Sequence, residues 1–356
     1  MNRHHLPPEI RALKVRASRI RAPKVGSLLL AFAVATAVLT ACSSDDDTSA
    51  CGTTDSGTDA ASGLPDSLNV GVANNVAMAA PLTGLGDLGV DDTSTNTAST
   101  PEELRTNFIA GNYDLAAMPI NIAANLCAQG IDLVLVGTVS GNIVYLMGPD
   151  GTTLDDLRGQ TVHIPFENDI IDLVTRQILD SAGMTYDGEN PDVTLQYHPT
   201  PLDIATGLTS GTMQYAILPE HLSTVVAGAT ENIVEAQSMQ DLWIEQTDAS
   251  SLPFAGFVLR GEVAREYPDL LGALQTNLLG SVVDVVSDPQ AGASAIADVV
   301  PIPAEVVAEV LPELRPTYLP AADGRADTEL LYESLMRTVP ESIGGELPAD
   351  GFYGVG

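Results

Sequence analysis

From Ser67 to Ala229, short apolar runs of strand length alternate with segments whose apolar residues recur at helical spacing. A parallel strand pair needs a helix-length crossover, so this alternation predicts α/β architecture built on mostly parallel sheets flanked by helices. LNVGVA (68–73) reads as the first strand, with Asn74 and Asn75 in the loop at its end. The segment to Gly89 reads as helix and turn, and STNTA (94–98) as a short edge strand. TPEELRTNFIAGN then carries a capping box: Thr100 as N-cap, Pro101 at the first helical position, Glu103 three residues on. YDLAAMP (113–119) is a strand and INIAANLCAQG its helix, followed by two strands, IDLVLVGTVSG and NIVYLMGPDG, the second crossing to a further lobe.

The most explicit strand–helix unit is Thr153–Gly183. TLDDLRG is a helical turn, QTVHIP a brief strand, and FENDIIDLVTRQILDSAG a helix with Ile170, Ile171, Val174, Ile178 and Leu179 on one face. Asn168 is its candidate N-cap and Gly183 its stop. VTLQYH, PTPLDIATGLTSG, YAILPE and HLSTVVAGA continue the rhythm. GNYDLAAMP and GTMQYAILPE share a helix-ending glycine, a spacer, a tyrosine-led strand and a proline, which reads as two halves built alike. ENIVEAQ adds a strand, and LPFAGFVLRGE one that returns to the first lobe. The remainder of the chain is mostly helical, with RPTYLP between the last two helices, and no chemistry is assigned to it.

The ends carry an address. Seven basic residues precede an apolar run, Leu28–Leu39, that is too short for a lasting membrane span. Leu39-Thr40-Ala41-Cys42 matches the bacterial lipobox, whose cysteine is lipidated; the competing reading is an ordinary signal peptide with a chance cysteine. Ser43–Gly63, rich in Ser, Asp, Thr, Gly and Ala, has too few apolar residues to bury a core and reads as a flexible tether. The expected organisation is a leader at 1–42, a tether at 43–66, the first part of lobe 1 at 67–150, lobe 2 at 151–250, and a return to lobe 1 with C-terminal helices at 251–356. The 290 or so residues after the tether suffice for two lobes.

Seven of the 15 basic residues and one of the 47 acidic ones lie in the first 42, leaving 8 against 46 and no lysine. A phosphate backbone needs clustered Lys or Arg, so no nucleic-acid partner is expected. The acids are scattered, as on a solvated acidic surface. Cys51 and Cys127, the thiols other than Cys42, either pair in an oxidising compartment or stay apart as a loose thiol and a small buried residue. They form no metal-ligand set, and His163, His198 and His221 show no ligand spacing, so neither metal nor cofactor is expected.

With its lipobox leader, NVGVA, AGNYDLAAMPINIAANLCAQG, LDDLRGQTVHIP and DIATGLTSGTMQYAILPEHLSTVVAGA, the chain resembles the sulfonate/nitrate/taurine and thiamine-pyrimidine solute-binding proteins of ABC importers over residues 67–270. The resemblance implies a two-lobed type II periplasmic-binding-protein fold with the ligand cleft between lobes. It also implies a monomer, lipid-anchored through Cys42 at the outer face of the cytoplasmic membrane, that hands a small molecule to an ABC permease and its ATPase. Loops at strand carboxyl ends beside helix starts supply the cleft. That topology makes Asn74, Asn75, Met118, Asn121, Phe166, Glu167, Asn168, Asp169, Glu220 and His221 the candidate ligand contacts. A sensory or surface lipoprotein without transport, or an enzyme on the same fold, are the competing classes. Cys127 lies several residues into a helix, away from any strand-end loop, and the cysteine-rich stretch of the pyrimidine synthases is missing, so no enzyme is expected.

Relatives that bind sulfonate or nitrate suggest an anion, but the candidate loops carry Glu167, Asp169 and Glu220 and neither Arg nor Lys. At an effective dielectric near 20, each like-charge pair at ~4 Å costs on the order of 4 kcal/mol. Those carboxylates suit an amine, amidine or aminopyrimidine, with Phe166 to stack on a ring. The expected ligand is therefore a neutral or cationic nitrogenous molecule.

Overall fold

The computed structural model describes Cys51 and residues 61–354. The leader with Cys42 and most of the tether lie outside the described residues. The chain opens with β1 (Ser67–Ala73), the one-turn α1 (Val76–Ala79) and a 3-10 stretch, Ala80–Asp87. Next come β2 (Asp92–Ala98), α2 (Pro101–Ile109), β3 (Leu115–Pro119), α3 (Ile120–Ala128) and β4 (Leu133–Ser140). After a crossing at 141–143 the chain forms β5 (Val144–Gly148), β6 (Thr161–Pro165), α4 (Ile170–Ser181), β7 (Thr194–His198) and α5 (Pro201–Thr209). The second lobe ends with β8 (Tyr215–Pro219), α6 (Glu220–Ala229), β9 (Val234–Ser238) and α7 (Met239–Gln246). The chain returns through β10 (Ala255–Arg260) to α8 (Gly261–Glu266), α9 (Pro268–Ser287), α10 (Pro289–Val299) and α11 (Ala304–Leu314). It finishes on β11 (Thr317–Pro320) and α12 (Arg325–Thr338).

Two sheets result, ordered β11-β4-β10-β3-β1-β2 and β7-β6-β8-β5-β9. β1 pairs in parallel with β2 and β3, and β6 with β7 and β8. The strand that arrives from the other lobe inserts antiparallel in each case: β10 between β3 and β4, β5 between β8 and β9. Leaving β11 aside, the two orders superpose strand for strand, with β3 matching β8. These are the strands of GNYDLAAMP and GTMQYAILPE, and they meet the arriving strand alike, Pro119 opposite Ala255 and Pro219 opposite Val144.

Burial follows position in the sheet. β3, β4 and β5 are buried along their whole length, and their sequences are mainly apolar, with Thr138 and Ser140 of β4 as buried polar exceptions. β2, DTSTNTA, lies at an edge, where polar side chains discourage pairing with a further chain. RPTYLP, which the sequence leaves as a separator, forms β11 on the opposite edge because Tyr318 buries its ring and donates from its hydroxyl to the Val136 carbonyl at 3.2 Å. Of the two readings of the cysteines, the paired one holds: a Cys51–Cys127 disulfide, Cα–Cα 5.3 Å, ties the chain ahead of β1 to α3.

The first crossing is held on three sides. The Asn142 N–H donates to the Leu314 carbonyl, and its Nδ2 to that of Glu313, each at 2.8 Å. Ser238 Oγ donates to Asn142 Oδ1, and the Gly141 N–H to Gln240 Oε1. Gly141 has φ +140°, and a Cβ there would meet the Leu314 carbonyl oxygen at 2.7 Å. Only glycine takes this conformation against that backbone without strain. Gly141→Ala is expected to cost about 2–3 kcal/mol in urea unfolding, whereas Gly151→Ala, at a positive φ with open space around it, costs less.

Candidate functional site

The carboxyl ends of β1, β3, β6 and β8 face one another across the lobes, and two adjoining cavities open between them. The larger, about 530 Å³, is the more polar of the two. Lobe 1 contributes Thr100 and Arg105 from the start of α2 and its following turn, and Asn121 and Asn125 from α3; lobe 2 contributes Phe166–Asp169; the C-terminal segment contributes Glu341 and Ser342. The second, about 420 Å³, is mainly apolar. Asn74, Asn75 and Met78 form one wall, Ile170, Leu202, His221 and Val225 another, and Pro301–Pro303 with Val306 a third. Thr100, Pro101, Phe166 and Asp169 line both cavities, so the two form one cleft.

The loop between β6 and α4 is the most constrained wall. Phe166 and Asn168 both have left-handed backbone, φ +55° and +63°, a conformation that side chains other than glycine adopt at a cost. The loop is pinned by the Phe166 N–H donating to the His198 carbonyl, the Asp169 N–H to that of Phe166, and the Asn168 N–H to Asp172 Oδ2 at 2.8 Å. Asp172 is fully buried and also accepts from Arg176 Nε and Nη2 and from the Tyr197 hydroxyl. The N-cap of α4 is Asp169, not Asn168, because the N–H of Asn168 is committed to Asp172 and its own backbone has turned left-handed. Asp169 makes no side-chain capping bond and faces the cleft. Burial pushes its pKa up to about 7, with the Ile170 N–H pulling it down and Asp172 adding to the rise.

Three buried polar atoms of residues that line the larger cavity have no hydrogen-bond partner: Arg105 Nε, Asn121 Oδ1 and Ser342 Oγ. His221 Nδ1, on the apolar side, is a fourth. Each such atom costs about 1–3 kcal/mol relative to a bonded one, and all four residues that carry them line the cleft. Among the described residues no group of three or more His, Cys, Asp or Glu is placed to hold a metal ion.

The cleft brings together Asn74, Asn75, Asn121, Phe166, Glu167, Asn168, Asp169 and His221. Met118 and Glu220 line neither cavity: Met118 is wholly buried within β3, and Glu220 is 1% exposed and bonded to lobe 1. The loop reading missed Arg105, which reaches the polar cavity from a helix and puts a cation where the strand-end loops offer none. It also missed the C-terminal walls, Pro301–Pro303 and Ser342, in a region whose local pattern carries no sign of chemistry.

No protein-family model matches the chain, and no curated protein sequence matches it. Solved structures do. An ABC transporter protein from Parabacteroides distasonis is 18% identical, with a TM-score of 0.67 over 81% of this chain and 98% of that one. The ligand-binding component of an ABC-type import system from Staphylococcus aureus, with zinc bound, is 13% identical, with a TM-score of 0.63 over 80% and 95%. The periplasmic aliphatic sulphonate binding protein of Escherichia coli is 16% identical, with a TM-score of 0.60 over 81% and 98%. The chain has the two-lobed fold of type II periplasmic binding proteins. Within that fold, the paired cavities occupy the cleft between the lobes.

The raised pKa of Asp169 sets a sign for pH dependence. Between about pH 4 and 7 the folded chain holds a proton that the unfolded chain has released, so this group's contribution is complete below about pH 4 and is lost as pH rises through about 7. Asp169→Asn is expected to flatten that part of the profile and to raise stability at pH 8 by about 1–3 kcal/mol, the range allowing for solvent in the cleft. Urea midpoints of both proteins from pH 4 to 8 measure it. Arg176→Ala, which strips the cation from buried Asp172, is expected to cost about 3–5 kcal/mol, read as a urea midpoint at pH 7.

Proposed function

We propose that this chain is the solute-binding component of an ABC importer. It captures a small molecule between its lobes and delivers it to a membrane permease coupled to an ATPase. The observation that carries this reading is the cleft itself, where Arg105, Asn121 and Ser342, each with a buried polar atom that lacks a hydrogen-bond partner, line the more polar cavity, which continues into an apolar one. A ligand with hydrogen-bonding groups at one end and an apolar body satisfies both parts. Lipidation at Cys42 holds the protein at the outer face of the membrane, and it binds without catalysis.

The ligand is a neutral or cationic nitrogenous molecule. Glu102, Glu167, Asp169 and Glu341 line the polar cavity against the single cation Arg105, and the apolar cavity contains no Lys or Arg. Arg105 favours the second reading, a sulfonate- or nitrate-like anion seated on its guanidinium. A thermal-shift screen separates them, since a ligand at 100 times its dissociation constant adds about 2.7 kcal/mol of stability. Amines, amidines and aminopyrimidines are expected to stabilise the protein, and Asn121→Ala and Phe166→Ala to weaken that response at least tenfold. Stabilisation by taurine, alkanesulfonates or nitrate instead would establish the anion reading. Membrane partitioning of the wild type, and release of Cys42→Ala into the medium, tests the anchor.

A further inference from the structure

Glu220 opens α6 in the second lobe, yet both oxygens of its carboxylate are taken by the first. Oε2 accepts from Asn75 Nδ2 at 3.1 Å, and Oε1 from the Val76 N–H at 3.0 Å. Glu220 is 1% exposed and Asn75 8%. Among the described residues, its only basic neighbour within 4.0 Å is the adjacent His221 ring, Nδ1 at 3.8 Å. No arginine compensates it; two N–H donors from the opposite lobe stand in for the water it has lost. Its main-chain N–H donates to the Ile143 carbonyl at 2.9 Å, so the residue is fixed to the crossing about which the lobes must turn.

The donors it uses are ones an incoming anion would seek. Asn75 lines the apolar cavity, and the other walls of that cavity supply Asp169 but no Lys or Arg. An anion entering there lies beside Asn75, whose amide N–H is already engaged by the Glu220 carboxylate behind it, as is the Val76 N–H. Glu220 itself lines neither cavity, so a cationic or N–H-bearing ligand feels its charge through Asn75 and not by direct contact. We infer that Glu220 is a built-in carboxylate that fills the lobe 1 donor pair, so that it both latches the lobes and makes the cleft reject anions in favour of neutral or cationic ligands. The ligand-selecting half of this inference rests on the solute-binding reading above; the latch does not.

Removing the side chain should let a small anion take its place. Purified wild type and Glu220→Ala are titrated with sodium acetate and sodium methanesulfonate, against sodium chloride at equal ionic strength, and followed by thermal unfolding. The expected result is a saturable rise of several degrees in Glu220→Ala, reached at millimolar anion and missing from the wild type. An equal response in both proteins, or in neither, would overturn the inference. Should Glu220→Ala fail to fold in any of these salts, the decision passes to Asn75→Asp. Aspartate preserves the cap on the Met78 N–H and places a carboxylate against Glu220. Its radius of gyration in X-ray scattering should exceed that of the wild type at pH 8, with unchanged circular dichroism, and an unchanged radius would overturn the latch. Neither readout uses the native solute. A barren ligand screen beside a positive anion response therefore discards the transport reading and leaves the latch standing.

Discussion

Only two stretches of backbone, 141–143 and 247–254, join the two sheets, and each delivers a strand that lies antiparallel among the strands of the receiving lobe. Every other contact across the cleft is non-covalent. These include the Glu220 carboxylate on Asn75 and Val76, and the Gln177 amide on the Thr338 hydroxyl. The lobes can therefore separate by rotating about the crossings without unfolding either sheet, which is the mechanical basis of hinge closure. The insertion also explains why the cleft lies where it does. The strands flanking each arrival, β3 and β8, end at the interface, so the helices that succeed them begin there.

The protein handles its buried and half-buried acids in three ways. Asp172 keeps a cation, Arg176, together with a tyrosine hydroxyl and a backbone N–H. Glu220 has amide donors from the other lobe instead. Asp169 has little beyond the Ile170 N–H, and burial lifts its pKa to about 7. With eight arginines for the whole segment beyond Cys42, cations are scarce, and most are spent in pairs outside the cleft: Arg158 on Asp155 and Asp192, Arg260 on Glu262, Arg325 on Glu329 and Asp350. Arg105 is the one that lines the polar cavity. Acidic composition thus shapes the site, because each carboxylate brought into the cleft must be met by something other than a lysine or a spare arginine.

Much of the frame was legible in the residues. The strand–helix rhythm, the N-cap at Thr100 (though Glu103 reaches back to the Ser99 N–H and not to that of Thr100) and the likeness of GNYDLAAMP to GTMQYAILPE are short-range patterns, set by spacing and by single-residue conformational preference. The loops at strand ends could be located because a parallel sheet puts them all at one edge. Hence Asn75, Asn121, Phe166 and Asp169 could be placed beside the cleft in advance. What short-range pattern could not supply was which elements meet. Cys51 and Cys127 are separated by 76 residues, and only the docking of α3 brings them together. Arg105, Ser342 and Pro301–Pro303 enter the cleft from segments whose local sequence looks like any amphipathic helix or turn. Glu220 reads locally as a strand-end residue free to touch ligand, and only the approach of the other lobe gives its carboxylate to Asn75. The sequence by itself determined the elements and the edge on which they end, because those depend on neighbours a few residues away. The tertiary structure alone decided the partners across the cleft, because they depend on how two lobes, joined by two short crossings, come to rest against each other.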